Sequence, residues 1–452
     1  MGSIMNEIEN GVRIRLDPIQ CFTFNRLDLV FKTIYGESIL HNSQAVFPRK
    51  VYKHHLFSIT GSNGKFVEHG SYPPKKGFPQ FDETFKSLIN GNTEEFPPVR
   101  VDKNVRLNNG AHRVVAGYLQ QKTIAAEVDE QPRGIMADYN FFRRANRWRY
   151  RLNQETLDYA LLRLVKLNSR IQILVVFPSV RNRRLIAELR NHEDFFLERN
   201  FRLNPIAKSK LLHFLYPQPA NFINRNLQNN QNAFRDRFNR PGKLRLMFFE
   251  NQDLTSVSKL KKTMRLKYRL PNGSLHTPEC SPETIHLLEI LLIKNSRKAL
   301  HSFDFRYIDE LRQSWTRLQN LKTEAAIVGS SPLALLGMRS ARDLDLIIQA
   351  EKSDLSTHAI NSHNSYWRHR GFNVDELIAN PRNFICVYGI KLISIPNIFH
   401  FKLRRHERKD LRDIVLISKY FLKKSVICLL TIKHFTLGYL RILRNFSRIL
   451  AR

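Results

Sequence analysis

Two stretches of the chain carry side chains whose types and spacing could do chemistry. In the first, Asn109-Gly110-Ala111-His112-Arg113, a glycine and a small residue precede His and Arg where a β-rich segment meets a small-residue apolar run. A helix that begins there offers backbone N–H groups at its positive end, which attracts anions. The imidazole and guanidinium add charge-assisted donors suited to phosphate oxygens. In the second, Gly329-Ser330 is followed, after residues 331 to 342, by Asp343-Leu344-Asp345. Two carboxylates at i and i+2 on a strand point to one face, so both can bind a divalent metal that bridges nucleotide phosphates. Glycine and serine at a helix start can hold the phosphates themselves. The plainer alternatives are a helix-capping His with a surface Arg, and an Asp pair in a β-turn.

Both clusters need strand-turn-helix units to position them. "FPPVRVDKNVRLNNG" predicts two short strands joined at Asp102-Lys103-Asn104, and "AHRVVAGYLQQ" a helix after Gly110. "TLDYALLRLVKLNSR" has a helical 3–4 apolar spacing, "IQILVVFP" reads as a buried strand stopped by Pro178, and "RRLIAELRNH" as a further helix. Such alternation indicates α/β. The Asn/Gln-rich stretch 221–243 predicts a linker or long loop. Beyond it, "KLRLMFFEN" is a strand and "SPETIHLLEILLIKNSRKAL" one helix, with Ser281 as N-cap and Pro282 at its first position. "EAAIVGSSPLALLGMRSARDLDLIIQ" alternates strand, glycine turn, short helix and strand, and "NFICVYGIKLISI" is a hairpin turned at Tyr388-Gly389. From Lys423 to Arg452, apolar residues interleave with Lys and Arg as in a basic amphipathic helix, or in a packing helix whose arginines reach solvent.

The composition bounds what such units can belong to. A chain of 452 residues with 42% hydrophobic and 25% charged residues is globular and long enough for two or three domains, each burying its own core. The formal charge of +33 attracts polyanions: nucleic acid, anionic lipid and phosphorylated substrates all fit, as does a uniformly basic proteome. Cys21, Cys280, Cys386 and Cys428 form no CxxC pair, which suggests neither zinc site nor disulfide framework and points to a reducing cytoplasm. The opening "MGSIMNEIENGVRIRLD" lacks the apolar core of a signal peptide, and no run of about 18 uncharged apolar residues predicts a membrane span.

The run "VDKNVRLNNGAHRVVAG" resembles the ParB/sulfiredoxin-like nucleotide-binding domain, whose signature is approximately Asp-Gly-x-His-Arg between a strand and a helix. That resemblance, spanning about residues 50 to 130, implies that Asn109 to Arg113 hold nucleotide phosphates. Asn109 stands where kinase-type members have an acidic residue. Those members also use an upstream glutamate near the phosphates, and Glu68 is the candidate, as base or magnesium ligand, with Lys75 and Lys76 beside it as substrate contacts. "FPS", the basic stretch after it and the "HTPECSPET" box with His276, Thr277, Glu279, Glu283 and Thr284 resemble ParB-like proteins encoded among bacterial capsule and lipopolysaccharide genes. His276 thereby becomes a third candidate substrate contact. The Gly-Ser and Asp-x-Asp pattern resembles the nucleotidyltransferase superfamily. Such enzymes place a third carboxylate on a later strand, where the hairpin here offers Lys391; Asp410 and Asp413 follow on a helix and read as structural.

Together these readings predict a multidomain α/β (α+β) protein. Its expected parts are an N-terminal segment (1–44), a ParB/sulfiredoxin-like domain with an α/β extension (45–220), a polar linker (221–243), a connecting α/β region (244–320), a nucleotidyltransferase-like domain with a mixed sheet (321–422) and the basic tail (423–452). The expected activity is ATP- and Mg²⁺-dependent phosphoryl transfer to a sugar hydroxyl of a bacterial surface-polysaccharide intermediate, in the cytoplasm or peripherally on its membrane. In that scheme Glu68, His112 and Arg113 are catalytic, Asn109, Gly110, Ala111, Gly329 and Ser330 bind nucleotide, and Asp343 and Asp345 bind metal. The alternatives are a ParB-like nucleic-acid-binding protein or nuclease, and an active nucleotidyltransferase acting on a sugar phosphate or RNA.

Overall fold

Short apolar runs bounded by Asp, Asn and Gly form strands, and longer runs with 3–4 spacing form helices. The computed structural model describes residues 12–60, 77–91, 96–103, 105–129, 136–144, 152–176, 183–204, 206–208, 210–211, 243–250, 256–268, 275–276, 282–316, 324–341, 343–349, 363–405 and 407–422. The described strands form three four-stranded sheets.

In the first sheet, β1 (Arg13–Leu16), β2 (Val99–Val101), β3 (Leu107–Asn109) and β4 (Ile124–Val128) lie in the order β1-β4-β2-β3. The central β4–β2 pair is parallel and the outer pairs are antiparallel. Helices α1 (Leu27–Leu40), α2 (Val46–Thr60), α3 (Phe78–Asn90) and α4 (Ala111–Leu119) accompany it, with α4 on β2 and β4 and α1 packed on α4. The expected strand pair and the helix after Gly110 are therefore in place.

After α5 (Tyr139–Arg144) and α6 (Gln154–Leu167), the second sheet takes β5 (Ile171–Val176), then, beyond α7 (Arg183–Arg190), β6 (Phe195–Phe201), β7 (Leu244–Glu250) and, after α8 (Ser256–Lys267), β8 (Leu275–His276). It is antiparallel throughout, in the order β6-β7-β5-β8. Alternation along β5 sends Leu174 and Val176 to a cluster under α7 and α8, and Ile173 and Val175 to the main core. The 221–243 stretch, expected as a linker or long loop, lies in sequence between two strands that pair in one sheet, with Phe201 opposite Leu244.

The expected helix over 282–300 is two helices, α9 (Pro282–Leu292) and α10 (Lys294–Ala299), broken at Ile293, whose φ and ψ of −81° and 115° are extended. The break turns α10 so that the Ser296 hydroxyl accepts from Cys386 N at 2.8 Å. Ser281 lies outside the described residues. Past α11 (Phe305–Thr316) comes the third sheet: β9 (Ala325–Ile327), α12 (Ser331–Leu335), β10 (Leu346–Ile348), α13 (Asn364–His369), α14 (Val374–Ala379), β11 (Phe384–Val387) and β12 (Ile390–Ile393). Its order is β10-β9-β12-β11, a mixed sheet in which only β9 and β12 are parallel. The hairpin turns as expected at Tyr388-Gly389, both with positive φ, the geometry that matches strand twist. Helices α15 (Ile395–Arg405) and α16 (410–422) complete this unit.

One apolar cluster runs from Leu16 to Ile417 and takes in residues of all three sheets, beside the smaller cluster under α7 and α8. Polar joints reinforce it. Glu376 and Asp375 of α14 accept from the backbone N–H groups of Phe47 and Gln44, at 2.8 and 2.7 Å. Glu289 of α9, fully buried, meets Lys166 of α6 at 2.7 Å and accepts from Gly389 N at 2.7 Å. Burial alone would raise the Glu289 pKa, but His286 and Lys166 outweigh it and hold it at about 2. A folded-state value below the unfolded one gives stability that is present above the unfolded value near 4.3 and lost as the pH falls toward 2. Acid denaturation should therefore be shallower between pH 5 and 2 in Glu289→Gln, with about 3 kcal/mol of the pH dependence removed. Chemical melts at several pH values measure it, and parallel curves for the two proteins would refute it.

Candidate functional site

The first predicted cluster is built at the β3–α4 junction. Gly110 takes φ +95°, and a Cβ there would lie 2.7 Å from a Val99 methyl, so only glycine fits the turn. Asn109 is exposed, and its side-chain oxygen accepts from Gly110 N at 2.6 Å. Ala111 is the first residue of α4. His112 does not face outward alone: its Nε2 shares a 3.0 Å hydrogen bond with the Tyr52 hydroxyl, and its ring packs on Phe85. Arg113 donates to the carbonyls of Pro97 and Pro98, tying the segment before β2 onto α4. The geometry thus gives both side chains partners within the fold. Glu68, Lys75 and Lys76 lie outside the described residues, and so does the "FPS" of 177–179. His276 is placed on β8, opposite Val175 in the second sheet, whereas Asn109 to Arg113 belong to the first.

The second cluster converges. Gly329, Ser330, Asp343 and Asp345 all line one cleft of about 190 Å³, beside α13 and α15. Here too the structure corrects the sequence reading, because Asp343 and Asp345 precede β10, whose first residue is Leu346. Pairing still reaches Asp345, whose carbonyl accepts from Val328 N at 2.9 Å, and so sets it opposite the Gly329 turn. Gly329 has φ +68°, and a Cβ there would meet Asp345 Oδ2 at 2.0 Å. The glycine therefore makes room for the carboxylate as well as for the backbone. Asp343 is exposed at the mouth and Asp345 half-buried. His363 Nε2 lies 3.0 Å from Asp345 Oδ1, and this contact holds the Asp345 carboxyl below the usual carboxylate range against its partial burial. Asn364 fixes α13 to β10 by pairing with both backbone groups of Ile348, at 2.8 and 2.7 Å.

The far wall is cationic. Lys402 is buried between Asp410, at 3.0 Å, and Asp413, at 2.7 Å. Arg405 forms a two-pronged pair with Asp410, and Arg339 reaches Asp413 at 2.9 Å. Both carboxylates are consumed in this lattice, as their structural reading anticipated. Lys391 faces elsewhere, toward Glu324 and the Ile378 carbonyl. Among the described residues no three His, Cys, Asp or Glu side chains are placed to hold a metal ion together. Asp343 and Asp345 are nonetheless enough for Mg²⁺, which commonly takes one or two carboxylates plus substrate phosphates and water.

Sequence reasoning missed His363, Arg339, Lys402 and Arg405. Lys402 and Arg405 stand three apart on α15, a local spacing that marks one helix face but not which cleft that face lines. No family model, curated protein or solved structure matches the chain. Among the described residues no helix is long and apolar enough to cross a membrane.

Proposed function

We propose that the chain is a nucleotide-dependent phosphotransferase of nucleotidyltransferase-like construction, with its centre at the Gly329–Ser330 and Asp343/Asp345 cleft. The supporting observation is that the Asp345 carboxylate occupies the space a Cβ at position 329 would take, with Asp343 lining the same cleft. In this reading Gly329 and Ser330 approach the nucleotide phosphates through backbone groups, and Arg339 and Arg405 set a positive wall opposite. Asp343 and Asp345 would hold Mg²⁺, which neutralises phosphate charge when bound. An acceptor hydroxyl oxygen then bonds to phosphorus and gives its proton to water, as the bridging P–O bond breaks and its electron pair leaves with the departing ADP or pyrophosphate. The acceptor is a sugar hydroxyl of a polysaccharide intermediate, the class that the sequence resemblance implies. Residues 109–113 lie in the first sheet and its helix, where Arg113 and His112 bond to Pro97, Pro98 and Tyr52.

A second reading, nucleotide binding without turnover, is favoured by the commitment of Asp410 and Asp413 to Lys402, Arg405 and Arg339, which leaves two carboxylates for metal. Calorimetry with ATP in Mg²⁺ tests the site for both. Asp343→Asn should weaken binding at least tenfold, about 1.4 kcal/mol, and chelating the metal should remove the difference between the two proteins. Equal affinities in Mg²⁺ would place the nucleotide elsewhere. Release of ADP or pyrophosphate in the presence of acceptor then separates transfer from binding.

A further inference from the structure

Helices α7 and α8 lie side by side on one face of the second sheet, sharing the cluster of Leu185, Leu189, Leu260 and Met264 beneath them. Lys267 and Tyr268, at the end of α8, both contact Glu188 of α7. Their solvent side is strongly cationic. The two helices carry Arg183, Arg184, Arg190, Lys259, Lys261, Lys262, Arg265 and Lys267 against the single carboxylate Glu188. The whole chain has 73 Lys and Arg to 40 Asp and Glu, so this ratio far exceeds the background. Lys259, Lys262 and Arg265 are exposed and recur at i, i+3 and i+6, which on a helix sets neighbouring cations about 5–6 Å apart. Like charges at that spacing destabilise a helix. Burial and then the nearby Arg265 lower the Lys261 pKa, so the proton on Lys261 is already held less tightly.

We infer that the α7–α8 face docks the phosphate backbone of duplex DNA. A row of cations held on a rigid surface neutralises successive phosphates and releases their counterions, the main sequence-independent source of affinity for DNA. Single strands are bound by stacking bases on aromatic side chains, and duplex RNA through contacts to its 2′-hydroxyls. Neither helix contains an aromatic residue, Asn, Gln or His, and the ring next to them, that of Tyr268 just after α8, is already engaged by Glu188 and Lys267. Insertion into a lipid surface calls for an apolar face, and the exposed side carries one large apolar residue, Leu266. This face is separate from the Asp343/Asp345 cleft, and its test does not depend on nucleotide.

The full chain is titrated with a 20-base-pair mixed-sequence DNA duplex over a series of salt concentrations, alongside the matching RNA duplex and vesicles of anionic phospholipid. The triple variant Lys259→Gln/Lys262→Gln/Arg265→Gln should keep its melting curve, bind DNA at least tenfold more weakly near 0.1 M salt, and lose about 2–3 from the slope of log K against log salt. A control with the same charge change at other exposed positions, Lys298→Gln/Arg412→Gln/Lys419→Gln, should lose clearly less. An unchanged slope in the first variant, or equal losses in both, overturns the inference by making the attraction diffuse. A loss confined to duplex RNA or to vesicles overturns it in favour of that partner.

Discussion

Gly329→Ala should lower folding stability by about 3 kcal/mol and abolish nucleotide binding, whereas Gly337→Ala should cost about 1 kcal/mol and leave binding intact. The two glycines have almost the same backbone, with φ of +68° and +63°, so a side chain strains both alike. They differ in what the new methyl meets. At Gly337 nothing lies within 4 Å, so the cost is the left-handed conformation alone. At Gly329 the methyl would sit 2.0 Å from Asp345 Oδ2 and 3.0 Å from its carboxyl carbon. The clash pushes the carboxylate off His363 or opens the β9–β10 pairing at Val328, and either movement displaces the Asp345 carboxylate from its place in the cleft. Denaturant melts give the two stabilities and calorimetry with Mg²⁺ and ATP gives the binding. If Gly329→Ala binds like the parent protein while folded, Asp345 is not part of a nucleotide site. The paired design matters because loss of binding through general unfolding would appear in the melt as well.

How far the sequence announced these features follows from how local each one is. The strand pair before Gly110, the Gly329 turn and the Tyr388-Gly389 hairpin were all legible, because each depends on a few consecutive residues whose φ values only glycine or a tight turn accommodates. The Gly-Ser and Asp-x-Asp residues meet in space because β9 and β10 are sequential neighbours that pair, which spacing alone could suggest. Pairings over long distances were not legible. Nothing near Leu244 says that its strand lies between β6 and β5, since an apolar strand satisfies any partner of matching register. The wall of Lys402 and Arg405 comes from a helix that starts 50 residues after Asp345. Its basic residues look in sequence like any solvated face, and only the buried Asp410 and Asp413 make them part of a cleft. The break at Ile293 was hidden for the opposite reason: its neighbours are good helix formers, and tertiary contacts of Lys294 with Glu155 and of Ser296 with Cys386 override them.

A buried charge cluster behind the β3–α4 junction should divide its variants sharply: Asp28→Asn loses about 3–5 kcal/mol of stability, while Lys32→Met changes it by no more than about 1 kcal/mol. Asp28, Arg26 and Lys32 are all buried, and the carboxylate meets Arg26 at 2.9 Å and Lys32 at 2.8 Å. Arg26 also donates to the Leu107 carbonyl at 2.5 Å, so the cluster anchors β3 just ahead of Asn109. Burial would raise the Asp28 pKa, but the two cations outweigh it and hold it far below the usual carboxylate range. Neutralising Asp28 leaves two buried cations uncompensated, the costly way to break such a group. Neutralising Lys32 instead leaves the Arg26–Asp28 pair balanced, and Met fills nearly the same volume. It should also affect His55, which is fully buried beside this cluster and packs on Phe31 and Tyr52. Burial, then the charge on Lys32, push the His55 pKa well below its ordinary value. A histidine that resists protonation only when folded makes the unfolded state the better proton binder, so stability falls as the pH drops below about 6.5, by about 1.4 kcal/mol per unit. Removing the Lys32 charge lets the folded His55 accept a proton more readily and makes that decline shallower. Urea melts of the parent, Asp28→Asn and Lys32→Met at pH 7.5, 6.5 and 5.5 separate the two effects. Equal damage from the two substitutions at pH 7.5 would show that the lysine, as much as the aspartate, is required to balance the buried charge, and that Arg26 and Asp28 do not form a self-sufficient pair.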